Sequence, residues 1–574
     1  MEGPNAIPSG RERLANRYAA WRAGRKPTVT AFVSQPEPRS FGLHARGKQI
    51  LAGNILLAGH LAEAPGKAIW DIPLPDAAFG AEAHGFAWLD DLAALGTPQA
   101  RRLAQDWTGR WIARFGQGRG PGWTPGLTGR RMIRWIHHAA FLMSGQDKAA
   151  HDAWFAALAR QTAFLARRAP AAAPGLPRFE AQIGLLYAGL SLAGMDPHAA
   201  PAARALAREC AAQIDAGGAI ASRNPEELAE ILTLLAWAVR ALAEAERPIP
   251  AALSQAIDRI APCLRVLRHS DGSLPRFHGG GAGIDGRLDQ ALSASAMLRP
   301  PGHAVQAMGY MRLSGGRSSV ILDAADPPGG AARAGAHAST GAFELTSGRR
   351  PLIVNCGSGR PFGVEWRLAG RATQSHSALS ISGASSSRFG SGTELLEERA
   401  RVTSLRQSGG EDALVVMAHD GWVATHGLLA GRELHLSSDG RRLGGTDTLS
   451  AQGAAAQARF SMLLDRSKLE GIGFTIRFHL HPEVDATLDM GGHAVSMQLR
   501  SGEIWVFRHD GRCRLSLDAS VFLEKGRLKP RPAQQIVLSG RAREFETRIG
   551  WTLAKAQDTP LAIRDLDRDE PVPI

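Results

Sequence analysis

The sequence predicts two large domains in series, α then β: a helical N-terminal part of roughly 300 residues followed by an all-β C-terminal part. Three observations carry this. A length of 574 residues at 44% hydrophobic content is too much for one core and divides into two or three. Apolar residues recur at helical spacing from about Pro98 to Ala296. Near Met308 the texture changes to short apolar runs between glycine- and proline-bearing turns.

In chain order, the helical pattern covers Arg101–Phe115, Arg130–Met143, Ala149–Arg168, Glu180–Ala193, Pro201–Ile214, Glu226–Ala245 and Ala251–Arg268. Short stretches such as GPGWTPG, APAAAPGLP and AGMDPH separate them. Many of these segments are Ala/Leu-rich on more than one face, as expected where neighbours cover a helix on two sides. Paired helices closed into a ring or stacked as a solenoid satisfy this, although no fixed-period repeat stands out. Strands follow at Tyr310–Leu313, Ser318–Asp323, Ala342–Thr346, Pro351–Val354, Leu414–Met417, Glu433–Leu436, Ala458–Leu464, Glu503–Phe507 and Glu544–Ile549. Ile472, Phe474, Ile476, Phe478 and Leu480 alternate with Gly473, Thr475, Arg477 and His479, the pattern of a strand buried on one face. Many short strands with tight turns predict an antiparallel sandwich. The expected division is 1–97 leading into the helices, 98–305 helical, 306–558 β, and 559–574 a charged, loosely ordered tail.

Lys and Arg exceed Asp and Glu by 67 to 54, a net +13. Such a surplus suits an anionic partner, although a basic proteome gives the same balance. No Lys-rich tail with interleaved aromatics is present, so no nucleic-acid partner is expected. Cys210, Cys263, Cys356 and Cys513 stand far apart with no CxxC pair and read as buried small hydrophobes. The N-terminal residues carry charge with no apolar segment behind them, so the expected compartment is the cytoplasm, or the periplasm if the start is misassigned. Ile50–Leu61 is too short to span a bilayer, and no membrane span is expected.

Several stretches could carry chemistry. Ser222-Arg223-Asn224-Pro225-Glu226-Glu227 opens the strongest helix. It reads first as a capping signal, with Asn224 at the N-cap, Pro225 as the first helical residue and Glu227 where a capping-box carboxylate belongs. Arg223 has no part in capping and is a candidate substrate contact. The glycine-rich Pro275-Arg276-Phe277-His278-Gly279-Gly280-Gly281 lets backbone approach a ligand, with His278 as a candidate acid or base. His337 and His376 each lie among small residues just before a strand. His479 and His481 share a strand face, but no third ligand is identifiable and a polar sheet face is the better reading. Trp107, Trp111, Trp123, Arg130, Arg131, Arg134 and Trp135 cluster in the helical part. Indoles beside guanidinium groups suit stacking on sugars and pairing with carboxylates, so Arg134 and Trp135 are candidate binding residues. Most tryptophans in a helical array are nonetheless core.

At these stretches the sequence resembles the heparinase II/III family of polysaccharide lyases. The likeness is most specific in AHASTGAFELTSGRRPLIVNCG followed by RATQSHSALSISG. In the helical half, GRRMIRWIHHAAFL, SRNPEELAEILTLL and DGSLPRFHGG are similar to the family's toroid segments. The resemblance implies an incomplete α/α toroid followed by an antiparallel β-sandwich, with the active site between them. It implies cleavage of a uronic-acid-containing polysaccharide by β-elimination: neutralising the carboxylate, removing the C5 proton and protonating the leaving oxygen at C4. The family's toroid Asn falls on Asn224, with Glu227 close by, and its β-domain His falls on His337. The family's catalytic Tyr has no counterpart near the glycine-rich loop, where His278 is the candidate substitute. The metal positions of some members fall on Ser339, Asn355 and His376. Ser and Asn are poor zinc ligands, so no metal or other cofactor is expected.

Three readings follow. The first is a lyase on an acidic polysaccharide or oligosaccharide. A hydrolase on the same scaffold would use carboxylates such as Glu226, Glu227 or Asp289. A non-catalytic glycan-binding or envelope protein would keep the cleft without the chemistry. A 4,5-unsaturated uronate product absorbing in the ultraviolet separates the first from the other two.

Overall fold

The computed structural model describes residues 9–24, 29–284, 286–293 and 304–558. The helices expected from the sequence form as Pro98–Phe115, Pro125–His137 with Ala139–Met143, Lys148–Arg168, Leu176–Ser191, Ala199–Gln213, Pro225–Glu244 and Ala251–Leu267. Local chemistry sets their starts: Thr97 and Asp147 accept backbone N–H groups of the first turn, and proline leads four of them. Further helices at Gly10–Ala23, His44–Leu51, Ala77–His84 and Ala87–Leu95 precede them. Trp70, Phe79, Phe86 and Trp88 from this N-terminal segment pack in one core with Trp107, Trp111 and Trp135. The described residues before Pro98 thus share the core of the helical body.

Backbones touch where Pro125–His137 crosses Leu176–Ser191: a Cβ on Gly184 would lie 2.5 Å from Gly129 Cα. The buried Arg131 spans the same region. It donates to Gln161, Thr128 and the carbonyls of His84 and Gly122, and lies 4.1 Å over the Trp111 ring.

The C-terminal half is a sandwich of two antiparallel sheets, of eight and nine strands among the described residues. One runs Val402–Gly409, Ala413–Trp422, Leu428–Leu436, Arg442–Ser450, Glu546–Gln557, Ile504–His509, Ala494–Gln498, Asp485–Asp489. The other runs Arg514–Phe522, Arg531–Ala542, Ile472–Leu480, Arg350–Val354, Phe343–Ser347, Ser318–Asp323, Tyr310–Gly315, Ala304–Ala307, with Leu379–Ile381 also paired to Ile472–Leu480. Phe343, Phe478, Trp505, Phe507 and Trp551 fill the space between them. The alternation from Ile472 to Leu480 faces this core as expected.

One predicted strand is corrected. Ala458–Leu464 lies inside the helix Ala454–Arg466, whose Phe460 packs in the sandwich core with Leu463 and Leu464 against it, an i, i+3, i+4 set that a period-two reading misses. The tail expected to be loosely ordered, 559–574, lies outside the described residues, as does the end of the helical pattern at 294–303.

The two halves meet through packed side chains: Tyr310, Ile321, Ala342 and Ala378 of the sandwich belong to the helical core. Arg223 is the polar strut of this joint. Its guanidinium donates to the carbonyls of Met308, Gly309, Ala325 and Asp326 and to the Asp323 carboxylate, lying 4.7 Å over the Tyr310 ring, while the Tyr310 hydroxyl donates to the Arg223 carbonyl.

Candidate functional site at the seam

Asn224 stands at the joint as the N-cap of Pro225–Glu244. Its Oδ1 accepts from the N–H of Glu226 at 3.0 Å and of Glu227 at 3.2 Å. The capping reading is therefore right, but half of the capping box is missing, because the Asn224 N–H donates to the Ser222 hydroxyl. Burial instead pushes the Glu227 carboxyl above its ordinary pKa, against the Ser222 hydroxyl and the Leu176 N–H. With Oδ1 used by the cap, the Asn224 amide Nδ2 has no partner among the described residues and is not enclosed.

The glycine-rich loop folds over this cap. Gly279 takes φ +85°, and a Cβ there would lie 4.0 Å from Asn224 Nδ2 and 3.9 Å from the Gly335 carbonyl. The loop is held by Glu226, which accepts from the Gly281 N–H at 2.8 Å and pairs with Lys525, reaching over from the sandwich, at 2.8 Å. Glycine is needed at 280, where a Cβ would sit 2.6 Å from Asn224 Oδ1.

From the sandwich side comes His337, on a loop fixed at each peptide. Arg371 donates to the carbonyls of Ala336 and Arg333, the Ala338 N–H donates to the Arg371 carbonyl, and Thr373 donates to the Ala338 carbonyl. The His337 N–H donates to His278 Nδ1 at 3.1 Å, and His337 Nδ1 lies 3.1 Å from His376 Nε2. His376 Nδ1 is 2.8 Å from the Ala372 carbonyl, and His278 Nε2 is 3.5 Å from Asp323 Oδ2. The Asp323 carboxyl, buried with Arg223, also accepts from the Ser339 hydroxyl at 2.6 Å. Burial alone would raise it, but the Arg223 guanidinium, with His278 and Ser339, holds it well below the usual carboxylate range. Burial drives His337 well below the ordinary histidine value, with His376, His278 and Arg371 adding to the effect, and pushes His376 down to about 4. His337 is 2% exposed, and its Nε2 has no partner among the described residues.

The seam thus brings together Asn224, His278, His337 and His376, and it corrects four of the expected roles. Arg223 is no substrate contact, because its guanidinium donors are all spent inside the joint. His278 is fully buried, with one ring nitrogen on the His337 N–H and the other facing Asp323, so it is not free to move a proton on a substrate. Arg134 is paired with Asp90 at 2.7 Å. Trp135 is enclosed in the helical core, stacked on Trp154 and edge-on to Trp111, so it offers no platform to a sugar. Sequence reasoning missed Asp323, Arg371 and Lys525, whose roles come from contacts between distant segments.

At the positions where the resemblance implies a metal in some members, the side chains are engaged with one another and with their neighbours. Ser339 donates to Asp323. Asn355 donates to Glu344 through Nδ2 and accepts the Ser377 N–H through Oδ1, and His376 holds His337. Of the carboxylates a hydrolase would need, Glu226 is paired with Lys525 and Asp289 with Arg268 at 2.7 Å, while Glu227 is held by the Ser222 hydroxyl and the Leu176 N–H.

A helical toroid packed on a two-sheet antiparallel sandwich is the scaffold of heparinase-like polysaccharide lyases. Residues 297–552 match the family described as heparinase II/III-like, C-terminal. The chain is 32% identical over 556 residues to FtsZ-localized protein C of Caulobacter vibrioides, an alignment spanning 91% of each protein. Among solved structures, heparinase III shares the fold with a TM-score of 0.68 at 14% identity, covering 95% of this chain and 90% of that one. A heparan sulfate lyase from Pedobacter heparinus does so with a TM-score of 0.55 at 14% identity, covering 95% and 88%. The chain belongs to the heparinase II/III-like family.

Proposed function

We propose that the protein cleaves a uronic-acid-containing polysaccharide or oligosaccharide by β-elimination at the seam. The observation that carries this reading is the pair of atoms left without a partner among the described residues, Asn224 Nδ2 from the toroid and His337 Nε2 from the sandwich. The uronate carboxylate accepts from the Asn224 amide at the positive end of a 20-residue helix, which stabilises the enolate-like charge that develops as C5 is deprotonated. His337 Nε2 takes the C5 proton. The C5–H electron pair becomes the C4=C5 double bond, the C4–O4 bond breaks, and the same imidazole returns the proton to O4. One group serves as base and then acid, which requires both on one face of the ring, a syn elimination. An arriving uronate also raises the imidazole's affinity for a proton, offsetting part of the burial effect. The net charge of +13 agrees with an anionic chain. No zinc takes part in this reading; stoichiometric zinc in chelator-free protein would remove that part of it.

The test is an ultraviolet screen over acidic polysaccharides beside Asn224→Ala and His337→Ala. A 4,5-unsaturated product from the wild type, lowered about 10²-fold or more in each variant, is expected.

A second reading, glycan binding without cleavage, has its own observation. The family's tyrosine is not replaced at the seam, since the Tyr310 and Tyr187 hydroxyls donate to the carbonyls of Arg223 and Trp237 and Tyr18 lies on the exposed face of Gly10–Ala23. A relative named for localisation to FtsZ suits a protein placed by binding. Tight binding of a uronate polymer with no unsaturated product would select this reading.

A further inference from the structure

We infer that His376 is a positioning residue that fixes His337 in one tautomer, with the proton on Nδ1 and the seam-facing Nε2 bare. The Ala372 carbonyl has no proton to give. His376 Nδ1, 2.8 Å away, must therefore be the donor. His376 is fully buried, none of its hydrogen bonds among the described residues is to a carboxylate, and burial outweighs the pull of Asp323 and Glu344, so it stays neutral and its Nε2 carries only a lone pair. That lone pair lies 3.1 Å from His337 Nδ1, a contact that is a hydrogen bond only if His337 Nδ1 holds the hydrogen. Neutral His337 then has no proton on Nε2, and the seam receives an acceptor.

A second chain fixes the same residue from the other side. The His337 peptide N–H donates to His278 Nδ1, so His278 carries its proton on Nε2, toward Asp323, which Arg223 and Ser339 hold ionised. One chain orients the ring of His337 and the other its backbone. Free histidine prefers its proton on Nε2, so without His376 the seam would face a donor where it now has an acceptor. The cost of a wrong tautomer is known in magnitude from serine proteases, about 10⁴ in kcat. Here His376, a position where some family members ligate a metal, does this work through hydrogen bonds alone.

The tautomer stands on geometry; its catalytic consequence rests on the lyase reading above. The experiment is a long-range ¹H–¹⁵N correlation on labelled full-length protein, assigning His337 by the His337→Gln spectrum. The wild type is expected to show His337 with hydrogen on Nδ1 and a bare Nε2. His376→Asn keeps a donor for Ala372 but loses the acceptor for His337, and is expected to move the proton to Nε2. His376→Gln replaces the acceptor and is expected to restore Nδ1–H. In the lyase assay, His376→Asn should lower kcat about 10²-fold or more with KM little changed, and His376→Gln should recover much of it. A wild-type His337 protonated on Nε2 overturns the inference even if neither variant folds, and so does an unchanged tautomer in His376→Asn. Absence of any unsaturated product from the wild type overturns the lyase reading and leaves the tautomer result standing.

Discussion

Asn224 shows how one side chain serves both fold and site, because its two amide atoms have separate tasks: Oδ1 caps Pro225–Glu244 and Nδ2 faces the seam. Asn224→Asp keeps an acceptor at the cap and adds favourable charge at the helix start, so stability in urea should change by less than about 0.5 kcal/mol. It removes the donor and sets a like charge against a uronate, so calorimetric binding of a uronate oligosaccharide should be lost. Asn224→Ala loses both and should cost about 1 kcal/mol of stability as well. Wild-type binding by Asn224→Asp would reduce Asn224 to a cap. The sequence made Asn224 legible as a cap because Asn before Pro-Glu-Glu is a capping signal, while its place in a site came from the family resemblance. It made His337 legible by its place among small residues just before a strand, and the family resemblance gave it a role. Arg223, His278 and Trp135 were misread for one reason: guanidinium, imidazole and indole serve as well inside a joint or core as in a cleft, and their partners Asp323, His337 and Trp154 are remote in sequence.

At the scale of elements, the helices were legible wherever apolar residues kept a 3.6-residue period, and the observed bounds differ mainly at proline-led starts such as Pro125 and Pro98. His44–Leu51, Ala77–His84 and Ala87–Leu95 were missed because they are short and their apolar faces complete a core supplied by later segments. What periodicity cannot show is how closely two helices approach. Gly129 and Gly184 put backbone on backbone, so Gly184→Ala, whose Cβ would lie 2.5 Å from Gly129 Cα, must push Pro125–His137 and Leu176–Ser191 apart. Its cost should be at least about 2 kcal/mol, as for other overpacked cores. Gly109, inside Pro98–Phe115 with nothing within 4 Å of a Cβ, is the control. Gly109→Ala should gain about 0.5–1 kcal/mol from helix propensity. Equal urea midpoints for the two variants would show that the helix crossing is not this tight.

For the whole molecule, the joint decides whether the halves fold as one. Arg223→Met would strand the buried Asp323 without its cation, and breaking one side of such a pair costs about 3–5 kcal/mol. Calorimetry should then resolve two unfolding steps where the wild type shows one; a single step at the wild-type temperature would mean that packing alone couples the halves. Acid tests both halves together. Burial pushes His84, His137 and His479 down to about 3 and His419 to about 4. Two of these lie in the helical half and two in the sandwich. Each binds its proton near pH 6.5 when unfolded but not when folded, so each removes up to about 1.4 kcal/mol per pH unit as pH falls below 6.5. Asp91 opposes them: burial raises it to about 6, so the native state gains a proton first and recovers one such increment between pH 6 and about 4. The depressed carboxyls of Asp90 and Asp323 lose their contribution only below about pH 4, where unfolded carboxylates begin to protonate. With His376, which burial also pushes down to about 4, four net imidazoles leave a slope of about 5 kcal/mol per pH unit, enough to exhaust an ordinary 5–15 kcal/mol of stability by pH 4. Tryptophan fluorescence and far-ultraviolet dichroism should therefore collapse together with a midpoint between about pH 4 and 5. A chain that kept both signals down to about pH 3.5 would show that these imidazoles are charged in the native state, and with them the buried neutral network that brings His337 to the seam would fall.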